Sequence, residues 1–260
     1  WKSIKGFSSA IAVSGRKIGL CRSFAFETAL KSATMSSTDK IEVSLLQRIL
    51  WICNMFYYQI LAIVSILFLW IFFDQANSFG STFTLHLVLS TAAYIPLMAA
   101  AIILFSEDNM ITLYIPRTKR YWIHGGLLLL SCIFVTIGIA VETDSKTKHG
   151  RDHFVSKHAI LGLVSWILVF ASIICGVVAA NTRTFSRFIR PVFAKLVHNF
   201  LGLAGFSIGV ASLWEMLGHI ERYLSDSAFI GLKYGLAFVT IWSGLAAIKS
   251  LFGQVKGVFS

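Results

Sequence analysis

From residue 48 onward the chain is a series of long apolar runs separated by short polar segments. Six runs, at 48–73, 82–105, 121–141, 158–180, 192–217 and 229–252, each reach the roughly 20 residues a helix needs to cross a ~30 Å hydrocarbon core. A helix satisfies its own backbone hydrogen bonds, which lipid cannot do for it. The pattern predicts an all-α, polytopic membrane protein with six transmembrane helices in one domain, 48–252. The connections are short, so neighbouring helices run antiparallel and helices two apart run parallel. Residues 1–47 are expected to be a disordered segment and 253–260 a tail.

Four polar positions break the apolar pattern in a regular way. His86, His124, His158 and His198 each stand near the start of one of the second to fifth runs. An ionisable side chain in hydrocarbon costs free energy, so it normally has a partner or a ligand. The second and fourth spans enter the membrane from one face, the third and fifth from the other. His86 and His158 therefore share one layer, and His124 and His198 share a second. The helical rise of ~1.5 Å per residue across a ~30 Å core puts the layers roughly 12–20 Å apart.

Closed zinc and di-iron sites take thiolates, carboxylates or more imidazoles than one pair supplies. Two neutral imidazoles on facing helices suit the axial positions of a haem iron, whose other ligands come from the porphyrin. The expectation is a four-helix core holding two haems, with His86, His124, His158 and His198 on the haem irons. Ser90, Gly162 and Gly202 each lie four residues after a histidine, and Gly125 and Gly126 directly follow His124. Small residues on the histidine face let a flat macrocycle approach the backbone, and they also serve ordinary helix contacts in membranes.

Composition and charge add orientation. The chain is 56% hydrophobic and 13% charged, with a formal charge of +11. Lys40 and Arg48, then Arg117, Lys119 and Arg120, then Arg183, Arg187 and Arg190, and finally Lys256 all fall on one side of the predicted bundle. Positive charge marks the cytosolic face, so both termini are expected in the cytosol. The opposite side carries Arg222 and one mixed segment, where Lys146, Lys148, Arg151 and Lys157 are partly balanced by Glu142, Asp144 and Asp152. The basic balance reflects topology and an anionic inner leaflet, not a nucleic-acid partner.

No P-loop, H-E-x-x-H or G-x-S-x-G motif occurs, nor a nicotinamide or flavin fingerprint, so any reductant is expected to be a small diffusible molecule or a separate protein. A proton-relay transporter built on intramembrane histidines is a competing reading. It predicts acids within the spans and broken helices, whereas Glu215 lies near a span end and Pro96 is the only central proline. A haem-binding structural subunit without a substrate is a third. Cys21, Cys53, Cys132 and Cys175 lack metal spacing and read as small core residues. The first forty residues open on Trp1, and Met35 is the expected natural start. Lys2, Lys5, Arg16, Lys17, Arg22 and Lys31 against the single acid Glu27 make a targeting presequence the alternative.

The stretches FTLHLVLS, LFSEDNM with RTKRYWIHGG, KTKHGRDHFVSKHAILG and KLVHNFLGL resemble the cytochrome b561 family over about residues 45–252. The most specific is Ser156-x-His158-x-x-x-Gly162 with Phe154 before it, and the loop patterns are more similar to the domain-containing subgroup than to the chromaffin-granule type. The resemblance implies two haem b groups and electron transfer from cytosolic ascorbate to monodehydroascorbate or a ferric chelate across the lipid bilayer. It also implies a homodimer. The membrane itself, whether endoplasmic reticulum, endosomal vesicle or plasma membrane, is left open.

Ascorbate is an anion near neutral pH, so a donor site beside the cytosolic haem should present cations. Arg117, Lys119, Arg120, Arg190 and Lys195 flank His124 and His198 and are the candidates. The same side chains serve equally as positive-inside flanks or as partners of haem propionates. Trp122 stands two residues before His124, where some family members carry a lysine used for ascorbate. On the other face Lys148, Arg151, His153 and Lys157 crowd before His158 and form a candidate mouth for an anionic acceptor. His149 and His219 read as incidental, the latter pairing with Glu215 or Glu221. Trp70, Trp122, Trp166, Trp214, Tyr57 and Tyr58 read as packing and interface aromatics.

Overall fold

The computed structural model describes residues 44–106, 109–185 and 187–259. Its six long helices are α1 (Leu45–Asp74), α2 (Ser81–Ile103), α3 (Arg117–Lys148), α4 (Lys157–Ala180), α5 (Pro191–Ile220) and α6 (Asp226–Phe259). Each is long and apolar enough to span a membrane, as the apolar runs predict. The expectations for residues 1–43, including the start at Met35, the presequence-like stretch and Cys21, lie outside the described residues.

The ends differ from the apolar runs where helix and hydrophobicity part company. α3 continues to Lys148, beyond the end of its apolar run at 141. Its last turns are polar, and Lys148 pairs with Asp144 at 2.6 Å across one turn. Part of the segment read as a connection between Glu142 and Lys157 is therefore helix projecting from the membrane zone. Hydropathy marks where lipid ends, not where backbone hydrogen bonding ends. For the same reason α1 begins at Leu45 and α6 extends to Phe259.

Helices α4 and α5 have the most extensive contact in the bundle, followed by α2 and α3. Small residues allow it: a Cβ on Gly205 of α5 would come within 2.9 Å of Val169 Cγ2 on α4. In a bilayer, where apolar surface gains little by leaving lipid, such close backbone approach drives helix association. Helices α2 to α5 form the four-helix core. On its flank, Tyr57 of α1 bonds Ser243 of α6 at 2.8 Å, and Trp242 Nε1 donates to Asn54 Oδ1 at 3.1 Å. Side chains such as Ile66, Phe73, Phe200 and Ile241 face outward from the bundle, as lipid contact requires.

Helix α2 widens into a π-helical turn over Ala93–Met98 that contains Pro96. Proline lacks an N–H and crowds the preceding turn, and the extra residue per turn accommodates both defects. The turn carries buried Tyr94, whose Oη lies 2.6 Å from Ser165 Oγ on α4, and Ser165 in turn donates to Gly205 O on α5 at 2.6 Å. Cys53, Cys132 and Cys175 are free thiols; Cys132 is a buried core residue, whereas Cys53 and Cys175 are half-buried.

Candidate functional site

The four histidines meet in the two expected pairs. The rings of His86 on α2 and His158 on α4 are 6.1 Å apart between centroids, at 89°. Those of His124 on α3 and His198 on α5 are 6.0 Å apart, at 78°.

Each ring is held by a carbonyl of a neighbouring helix. His86 Nδ1 donates to Gly138 O at 2.9 Å, and His124 Nδ1 to Ala101 O at 2.9 Å, so α2 and α3 hold each other's histidines. His158 Nδ1 donates to Ser212 O and His198 Nδ1 to Ser172 O, both at 2.8 Å, so α4 and α5 do the same. A carbonyl only accepts, so the proton sits on Nδ1 and Nε2 keeps its lone pair. Orientation of a ligating imidazole by a backbone carbonyl is the usual arrangement at metal sites.

Two serines complete the lock. Ser212 Oγ donates to His158 O at 2.8 Å and lies 3.0 Å from His158 Nδ1. Ser172 repeats this at His198, with distances of 3.0 and 3.2 Å. Ser212→Ala removes the hydroxyl but keeps the carbonyl bond, and should cost about 1 kcal/mol. The expected reading is a thermal midpoint lowered by about 2–4 °C for a chain of this size.

The spacing suits an iron held between the rings. Two iron–nitrogen bonds of about 2 Å, plus about 1 Å from each nitrogen to its ring centroid, require roughly 6 Å between centroids. No cluster of three or more His, Cys, Asp or Glu side chains occurs among the described residues, and a macrocycle would supply the ligands that two imidazoles leave open. At the His86–His158 pair, both histidines line a mainly apolar cavity with Phe68, Phe72, Ser90 and Met216.

The small residues divide into two roles. A Cβ on Gly162 would meet Ser212 Oγ at 3.4 Å, and one on Gly202 would meet Ser172 Oγ at 3.0 Å. Their first task is to seat the locking serines, whereas Gly125 and Gly126 face open space and Ser90 borders the cavity.

The charged candidates cluster by end. Arg117, Lys119 and Arg120 occupy the first turn of α3, ahead of His124. Arg190 caps α5 and Lys195 lies in its first turns, ahead of His198. Arg120 is partly committed, because its Nε donates to Ile115 O at 2.8 Å, while Arg117 lies over the Tyr121 ring. At the opposite end Lys148 is paired with Asp144, and His153 Nε2 lies 3.2 Å from Thr147 Oγ1. Arg151 and Lys157 are exposed. His149 caps α3 through Ser145 O, and no carboxylate pairs with His219 among the described residues. Trp166 donates to Thr136, and Trp214 lies under Lys233, both as packing aromatics do.

The family model for eukaryotic cytochrome b561 matches residues 85–223, which carry all four histidines. The chain belongs to the cytochrome b561 family. It is 30% identical over 150 residues to human transmembrane reductase CYB561D2, covering 57% of this chain and 65% of that protein. The mouse protein of the same name is 25% identical over 174 residues, covering 66% of this chain and 76% of the relative. Mouse probable transmembrane reductase CYB561D1 is 26% identical over 96 residues, 37% of this chain and 42% of that protein. No solved structure matches the chain. Proteins of the cytochrome b561 family bind b-type haem, a group that the paired, Nδ1-anchored histidines fit.

Proposed function

We propose that this chain carries electrons across a bilayer through two b-type haems, one held by His124 and His198 and one by His86 and His158. The observation that carries the reading is the pair of 6 Å histidine couples, each with both Nδ1 atoms engaged and both Nε2 atoms left to bind iron. When bound, each haem supplies a one-electron iron couple.

The protein's own residues do the rest. The carbonyls of Gly138, Ala101, Ser172 and Ser212 fix ring orientation, which limits the rearrangement that accompanies each change of iron charge. The mainly apolar cavity beside His86 and His158 keeps water away and favours the state of lower net charge there. Positive-inside bias assigns the His124–His198 end and both termini to the cytosol. Arg117, Lys119, Arg120, Arg190 and Lys195 then attract ascorbate from the cytosol, with Arg120 partly committed to Ile115 O and Arg117 to the Tyr121 ring. At the far end Arg151, His153 and Lys157 attract monodehydroascorbate or a ferric chelate. Assembly as a homodimer belongs to the same proposal.

The test is a reduced-minus-oxidised spectrum of detergent-purified protein, with haem counted per chain and ascorbate compared with dithionite. About two b-type haems, largely reduced by ascorbate, are expected. Two haems that only dithionite reduces would retain the cofactor but remove ascorbate as donor. Well-folded protein without haem would overturn the reading.

A further inference from the structure

A run of aromatic rings joins each histidine pair to its own end of the bundle, and each run ends under an arginine. At the His124 end, Phe105 lies 5.2 Å from His124, Tyr121 lies 5.0 Å from Phe105, and Arg117 stands 5.9 Å above Tyr121. At the His86 end, Phe83 stacks on His86 at 6.1 Å and 23°, and Phe79 meets Phe83 at 5.9 Å. Tyr223 meets Phe79 at 5.4 Å, and Arg222 lies 5.4 Å above Tyr223. Both runs pass from arginine to tyrosine to phenylalanine to histidine, with one phenylalanine in the first and two in the second, although they are built from unrelated segments.

The second run depends on one backbone feature. Gly80 has φ 79° and ψ 154°, a region open essentially to glycine alone. It redirects the chain between the short helix Ala76–Phe79 and α2, which sets Phe79 against both Phe83 and Tyr223. At the outer terminus Arg222 Nε donates to His219 O at 3.4 Å, which steadies the guanidinium over the ring, and no carboxylate neutralises it among the described residues. The loop before His158 offers less. Lys148 is already paired, and among the described residues Phe154 has a ring contact with His153 but none with His158.

We propose that Arg222 and Tyr223 form a docking port for a small anionic one-electron acceptor, and that Phe79 and Phe83 bridge it to the His86–His158 site. The inference rests on the electron-transfer reading above and names where an acceptor drawn in by Arg151, His153 and Lys157 takes the electron. A guanidinium over an aromatic face binds a compact or planar anion through charge and stacking together. Tunnelling weakens steeply with every gap, and the successive rings leave no gap wider than a packing contact. With haem bound, the step would be a single electron passed from ferrous iron held by His86 and His158 to a ferric chelate at the port, which would become ferrous as the haem iron became ferric. No ring changes oxidation state, no bond breaks and no proton moves.

The experiment uses haem-loaded protein in vesicles with ascorbate inside, and ferricyanide outside as the anionic acceptor. Arg222→Gln is expected to raise KM for ferricyanide about tenfold, the scale of one lost charge-assisted contact. It should not raise KM for the cation hexaamminecobalt(III). Phe79→Leu, which touches neither histidine pair, is expected to lower the maximal rate with both acceptors and to leave haem content and the low-spin haem resonances unchanged. Binding of hexacyanocobaltate(III), a redox-inert anion of the same shape, is read by calorimetry and should weaken about tenfold in Arg222→Gln. Unchanged hexacyanocobaltate binding overturns the port, and an unchanged maximal rate in Phe79→Leu overturns the bridge. Wild-type vesicles that pass no electrons would refute the electron-transfer reading, while the calorimetric arm would still decide the port.

Discussion

His86→Ala and His158→Ala are each expected to remove one and the same haem, lowering the content from about two to about one per chain. The reason is geometric. The two rings stand 6.1 Å apart across separate helices, so neither has a substitute ligand when its partner is lost. His124→Ala and His198→Ala should remove the other haem in the same way, because their carbonyl anchors, Ala101 and Ser172, belong to a separate set of contacts. The combination His86→Ala with His158→Ala should lose no more haem than either alone, whereas His158→Ala with His124→Ala should lose both. Residues that act as one unit are non-additive in this manner, and independent sites are additive. Haem extracted and counted against folded protein provides the measurement. Retention of both haems in His86→Ala and in His124→Ala would refute the ligand assignment. Loss of both from any single folded variant would refute the separation into two sites.

The sequence already carried the pairing, because alternating helix direction and the position of each histidine in its apolar run are both linear properties. Six spans were legible for the same reason: the membrane selects on hydropathy summed over about 20 residues, and such a sum survives ignorance of tertiary structure. What holds the rings was not legible. The anchors are backbone carbonyls of Gly138, Ala101, Ser172 and Ser212, and every residue has a carbonyl. Ser172 and Ser212 left a faint signal as polar residues inside apolar runs, but a serine in a spanning helix more often bonds its own preceding turn, as Ser65 and Ser131 do here. Gly162 and Gly202 were expected to clear room for a macrocycle, and their neighbours turned out to be those serines. The π-helical turn was equally hidden, since Pro96 announces a defect in α2 without specifying its form. The aromatic runs combine residues from separate elements, as when Tyr223 meets Phe79, so only the folded chain displays them.

The most damaging single-atom change away from the histidines should be Gly209→Ala. A Cβ at Gly209 would overlap the Tyr94 ring, and that ring has nowhere to retreat. Its hydroxyl is tied to Ser165, and Ser165 to the Gly205 carbonyl, so the ring is fixed at its far end. Its backbone sits in the π-helical turn, whose geometry answers to Pro96. Overpacking a closed site costs about 1–3 kcal/mol, and the upper end is expected where neither partner can rotate away. Tyr94 belongs to the helix of His86, Ser165 to that of His158 and Gly209 to that of His198, so a forced shift moves three histidine-bearing helices together. The expected result is a lowered thermal midpoint, with both haems lost in one transition. Gly231→Ala, where an added Cβ meets nothing within 4 Å, should leave the midpoint unchanged. Tyr94→Leu combined with Gly209→Ala should recover part of the loss, because the smaller side chain vacates the space the new methyl needs. A double variant no more stable than Gly209→Ala alone would show that the contact with Tyr94 is not the source of the damage.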